Sequence, residues 1–100
     1  MNTFKETGLD KNILDAVFDL GFKKTTPIQQ STIPILMNSD KDMIATAQTG
    51  TGKTAAFGLP ILHLSDVDVN TTQSLVLCPT RELCIQIGLD LNSYAKYLKN

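Results

Sequence analysis

The sequence predicts an α/β fold. A parallel sheet is begun by two strands, flanked by four helices, and left incomplete. Two observations predict it. Apolar residues change period along the chain in the order helix, helix, strand, helix, strand, helix, which is how a wound sheet starts. A glycine-rich loop, Ala47-Gln48-Thr49-Gly50-Thr51-Gly52-Lys53-Thr54, joins the first strand to the third helix. In such sheets that junction is where phosphates bind. The composition is that of a globular protein: 100 residues, 42% hydrophobic and 19% charged. A net charge of −1 excludes the strongly basic arm that announces nucleic-acid binding by charge alone. No apolar run is long enough to span a bilayer, and the first residues lack the apolar core of a secretory signal. Two cysteines, Cys78 and Cys84, are too few for a disulfide scaffold and fit a reduced, cytoplasmic protein.

The elements follow in order. Leu9, Ile13, Leu14, Ala16, Val17 and Leu20 form a helical stripe, with Asp10 to cap it and Gly21 to end it. Thr26-Pro27 reads as the cap and first residue of a second helix, with Ile28, Thr32, Ile33 and Leu36 inward. Pro34 should kink or break that helix. Residues 43–47 are an apolar run read as a buried strand. Residues 54–64 form the third helix, with Pro60 a second expected kink. Residues 65–73 are polar and aperiodic, hence a surface loop. Residues 74–78 are the second strand, stopped by Pro79. From Arg81 a long helix runs to within two residues of the chain's end. Its face is Leu83, Ile87, Leu91, Tyr94 and Leu98, at spacings of 4, 4, 3 and 4. Two strands are not a finished sheet.

The glycine-rich loop matches the phosphate-loop pattern GxxxxGK(S/T), with Ala47 in place of the first glycine. Gly50 and Gly52 let the backbone turn tightly and bring its N–H groups against phosphate oxygens. The helix that follows adds its N-terminal N–H groups and dipole. Lys53 supplies a mobile positive charge for β and γ phosphates. The Thr54 hydroxyl is a ligand for Mg²⁺, which keeps most of its waters. Without a ligand, the same residues would be a plain strand-to-helix turn.

Taken with two further segments, the loop resembles the DEAD-box RNA helicases. AQTGTGKT resembles that family's motif I. Gly21 to Gln29 resembles its Q motif, GFxxPTPIQ, with Phe4 upstream as the isolated aromatic and Thr25 where the family has Pro. Pro79-Thr80-Arg81-Glu82-Leu83 resembles motif Ia. The resemblance covers essentially the whole chain. It implies a RecA-like phosphate-loop domain, with a Q-motif region at 1–30 and the start of the ATP-binding domain at 31–100, cut before the DEAD segment. It implies an ATP-hydrolysing RNA helicase using ATP and Mg²⁺, with a second RecA-like domain in the complete protein. It implies that Lys53 and Thr54 are catalytic and that Gln29 reads adenine. It also implies that Phe4 lies against the base and Phe22 supports the pocket. Residues 47–54 hold phosphate, and Pro79, Thr80 and Arg81 hold the backbone of single-stranded RNA.

Other readings of the same residues stand beside these. Gln29 lies three residues after Thr26, so it can complete a capping box. Arg81, the only arginine, can pair with Glu82. Phe4 and Phe22 can be core aromatics, and Lys23-Lys24 a solvated turn. His63 reads as a helix-end residue without chemistry. At the level of function, the alternatives are a truncated nucleotide-binding module without turnover, or another phosphate-loop ATPase. The 100 residues alone are expected to lack ATPase activity. In RecA-like sheets the two strands seen here are not neighbours, so both would be left unpaired.

Overall fold

The computed structural model describes residues 3–48 and 52–98. Its elements are a 3-10 turn at Phe4–Thr7 and four α-helices: α1 (Lys11–Asp19), α2 (Pro27–Asn38), α3 (Lys53–Leu64) and α4 (Arg81–Tyr94).

Each helix starts where its cap allows. The Asp10 carboxylate accepts from Asn12 N–H at 2.9 Å, satisfying one of the orphan donors of α1. Thr26 opens α2 with a full capping box and Pro27 in the first turn. Thr80 opens α4 by accepting from Leu83 N–H at 3.1 Å. After α1 the chain leaves the helix through Gly21, at φ 84°, a conformation that costs glycine nothing.

Pro34 and Pro60 do not break their helices. Helix α2 runs on to Asn38 and α3 to Leu64. Each proline forfeits one backbone hydrogen bond. Packing offsets the loss: Ile33 and Leu59, each beside a proline, are fully buried, and so is Pro60 itself. The last helix also differs from expectation. It ends at Tyr94, and a turn follows in which Leu98 N–H donates to the Ala95 carbonyl at 2.9 Å.

The core gathers Phe4 and Leu9 from the N-terminal segment, Ile13 and Val17 of α1, Ile33 of α2, Ala55 and Leu59 of α3 and Tyr94 of α4. Burying each large side chain contributes about 1.5–3 kcal/mol. Helices α2 and α3 pack most extensively against one another. Inside that seam the Thr32 hydroxyl lies 2.8 Å from the Ile28 carbonyl and 3.4 Å from that of Ala56. Helix α3 meets α4 where Gly58 lies against Leu91. His63 is structural. Its Nδ1 accepts from the Asp10 N–H at 3.0 Å, tying the end of α3 to the start of α1.

The two expected strands do not form. Among the described residues the only β pairing is an isolated antiparallel bridge between Thr3 and Lys24. Ile44 is 97% exposed, Leu75 80% and Leu77 84%. A strand exists only by hydrogen-bonding a neighbour, and no described segment lies beside 43–47 or 74–78. The described residues therefore build a helical layer, with no sheet among them. No helix among the described residues is long and apolar enough to cross a membrane.

Candidate functional site

The start of α2 and the start of α3 face each other, and the contact between them organises the site. The Gln29 Oε1 accepts from the Thr26 N–H at 2.9 Å, and its Nε2 donates to the Gly52 carbonyl at 3.1 Å. The capping box anticipated for Gln29 is present, and the amide goes further, reaching the last residue before α3. Gly52 sits at φ 84°. A Cβ there would come within 2.3 Å of Gln29 Nε2. Glycine is required twice, for its backbone angle and for this close approach.

Around this contact lies a cavity of about 1180 Å³. Phe4, Phe22, Gln29, Gly52, Lys53 and Thr54 all line it. Phe4 is a core residue, and its ring stacks on Phe22 with centroids 6.2 Å apart and planes 26° from parallel. Phe22 is 38% exposed and is in turn tilted against Tyr94, centroids 6.4 Å apart. Burial, helped by the charge of Asp90, pushes the Tyr94 phenol up to about 12. It stays a neutral hydroxyl at physiological pH.

Lys53 is the first residue of α3 and is exposed. It makes no ion pair among the described residues, so its ammonium remains available to an anion. Thr54 follows it into the cavity wall. Ala47 and Gln48 are not in that wall. Thr49, Gly50 and Thr51 lie outside the described residues.

Pro79, Thr80 and Arg81 are exposed at the start of α4 and do not line this cavity, although Leu83 in the same turn does. Arg81 makes no ion pair among the described residues, so the pairing with Glu82 does not form. Burial, reinforced by a hydrogen bond with the Cys84 thiol, pushes the Cys78 thiol up. Both cysteines that flank this segment are free, Cys78 half-buried and Cys84 exposed. No group of three or more His, Cys, Asp or Glu that would cage a metal occurs among the described residues.

Among the contributors to the cavity that sequence reasoning missed are Lys23, Lys24, Asp90 and Tyr94. The lysine pair reads as a solvated turn and is indeed exposed. Its place at the rim depends on where α1 delivers the chain, which periodicity cannot report. Tyr94 reads as a core face, which it is, and its ring edge reaches Phe22 as well.

The DEAD/DEAH box helicase pattern matches residues 26–100, a span that holds Gln29, Gly52, Lys53 and Arg81 together. The chain belongs to the DEAD/DEAH box helicase family. It is 50% identical over 101 residues to the ATP-dependent RNA helicase CshA of Listeria monocytogenes, covering 99% of this chain and 19% of that protein. It is 45% identical over 97 residues to the ATP-dependent RNA helicase DeaD of Escherichia coli, covering 97% of this chain and 15% of that protein. Among solved structures, a DEAD box protein from the hyperthermophile Methanococcus jannaschii superposes with a TM-score of 0.93 at 40% identity. That match covers 100% of this chain and 27% of the other. Dbp5 of S. cerevisiae, bound to RNA and ADP BeF3, gives 0.95 at 35% identity, covering 99% and 26%. This DEAD/DEAH box chain spans 15% to 19% of the length of these two curated relatives. Its helices superpose on those of the family.

Proposed function

We propose that this chain is the Q-motif region (1–30) and the opening of the ATP-binding RecA-like domain (31–100) of an ATP-dependent RNA helicase. Hydrolysis of ATP would be coupled to RNA binding and local unwinding. One observation carries the reading: Gln29 and Gly52, 23 residues apart, are hydrogen-bonded at the edge of a single cavity. A base-reading amide and a phosphate-loop backbone belong together when one nucleotide must touch both.

The residues present fit ATP and Mg²⁺. The left-handed Gly52 leaves the backbone bare where a Cβ would intrude. Lys53 brings a cation that makes no ion pair among the described residues. Thr54 offers one hydroxyl, which suits Mg²⁺ because that ion takes few protein ligands and shares phosphate oxygens. Phe4 and Phe22 form the aromatic wall for adenine, with residues 47–51 completing the phosphate cradle. Magnesium supplies charge neutralisation at the transferred phosphate when bound. This chain holds the triphosphate with its terminal phosphate in place, since positioning and electrostatics dominate the catalysis of such transfer.

Pro79, Thr80 and Arg81 take the RNA backbone. A guanidinium unpaired among the described residues, at a helix N-terminus, binds phosphate without reading bases. The parallel sheet, built on 43–47 and 74–78, and a second RecA-like domain complete the machine. The free thiols fit a cytoplasmic setting. The test is RNA-stimulated ATP turnover by the full-length protein. Lys53→Ala should abolish turnover and leave the helical far-UV signal intact, because Lys53 is exposed. Normal turnover in that variant would remove the phosphate-loop assignment.

A further inference from the structure

Gln29 is held at both ends of its amide. Oε1 accepts from the Thr26 N–H at 2.9 Å and Nε2 donates to the Gly52 carbonyl at 3.1 Å. Turning the amide over would set Nε2 against the Thr26 N–H, donor to donor. It would also set Oε1 against the Gly52 carbonyl, acceptor to acceptor. Both bonds would be lost in a residue only 3% exposed, where solvent cannot replace them. The protein therefore decides which end of the amide is oxygen, independently of any ligand.

A primary amide carries two acceptor sites and two donors. One of each is committed to the protein, so one of each is left, in a fixed order. Adenine presents an amine donor beside its N7 acceptor, whereas guanine presents two acceptors on that edge. A correctly turned amide satisfies both adenine groups, and a turned-over amide opposes both. Against guanine, either orientation satisfies one group and opposes the other. Fixing the amide therefore matters for adenine far more than for guanine.

We propose that the backbone N–H of Thr26, together with the Gly52 carbonyl, sets the purine specificity of the site by locking the Gln29 amide in the orientation that matches adenine. Thr26 is a positioning residue here, and it acts through its main chain. The inference rests on the adenine role proposed above for Gln29.

Nucleotide competition on the full-length protein reads the ratio of ATP to GTP affinity. Thr26→Pro removes the N–H while suiting the observed φ of −81°. Thr26→Ala keeps the N–H and removes only the side-chain cap. Both lower the melting temperature through the lost cap. The ratio should fall roughly tenfold in Thr26→Pro, the scale of one hydrogen bond, and hold in Thr26→Ala. No fall in Thr26→Pro, or the same fall in both, overturns the lock. If Thr26→Pro does not fold, replacing Thr26 by its α-hydroxy acid gives the same readout, since it exchanges only the N–H for an ester oxygen. Gln29→Ala separates the two readings. An unchanged ratio there removes the base-reading role itself. A ratio that collapses in Gln29→Ala and holds in both main-chain variants removes the lock alone.

Discussion

The Gly52 carbonyl accepts a hydrogen bond from Gln29 Nε2 at 3.1 Å, joining the start of one helix to the start of another across 23 residues of sequence. The contact exists because Gly52 carries no side chain. Its virtual Cβ would stand 2.3 Å from that nitrogen and 3.3 Å from Thr26 Oγ1. Gly52→Ala should therefore cost roughly 1–3 kcal/mol from the left-handed backbone alone, and should displace the Gln29 amide. Thermal melting of the full-length protein, followed by ATP titration, checks both. An unchanged melting temperature would mean that the backbone at 52 tolerates a side chain.

Arg81 stands exposed and unpaired among the described residues at the head of α4. Arg81→Ala should weaken RNA by a similar factor for every sequence tested, and should lower the salt slope by about 1. Filter binding or anisotropy at several salt concentrations measures this. A change in sequence preference would instead make Arg81 a reader of bases.

Thr25 occupies the position where the family's Q motif has proline. Its hydroxyl is buried with no hydrogen-bond partner among the described residues, and a buried unsatisfied group carries a penalty of about 1–3 kcal/mol. Thr25→Val keeps the shape and removes the orphan. It should stabilise the protein by roughly 1 kcal/mol, read by denaturant melts. A loss of stability would show that the hydroxyl is satisfied after all.

The far ends of α1 and α4 are clasped by Asp19, which accepts from the Tyr97 hydroxyl and pairs with Lys96 Nζ at 3.3 Å. The Tyr97 bond above all, with Lys96 assisting, holds the Asp19 carboxyl below its ordinary value of 3.8, against the opposing effect of burial. The sign follows from that depression. The clasp's stabilisation is complete above 3.8 and is lost as pH falls through the lowered value. Tyr97→Phe should move the Asp19 titration upward by more than Lys96→Ala does. Carboxyl carbon shifts in NMR would show it, and a larger move for Lys96→Ala would reverse the ranking.

Much of this was legible in the residues. Asp10 and Thr26 announce their helices because capping is local chemistry, decided within three residues. The stripe of α1 and the face of α4 survive because period alone places Ile13, Val17, Ile87 and Tyr94. Pro34 and Pro60 misled because their cost is local while Ile33 and Leu59 offset it through distant contacts. The segments 43–47 and 74–78 stand unpaired, as the resemblance implies for strands that are not neighbours. Their apolar pattern is correct for a sheet, but pairing is a property of two segments, and the partners do not lie among the described residues. In the site, the residue types of the phosphate loop were readable from spacing. The Gln29–Gly52 bond was not, because no rule of period or composition reports which two helix starts will touch.

The uncovered apolar segments also set an order in time. The four helices and their shared core need only contacts within these residues, and helical turns form in about a microsecond or less. On the reading proposed above, Leu75 and Leu77 wait for sheet partners that the helices do not supply. A ribosome adds about 5–20 residues per second, so every further 20 residues leave them bare for about 1–4 s. That is an age on the scale of hydrophobic collapse. On that reading, the helical layer is during synthesis a finished half that exposes an unfinished one.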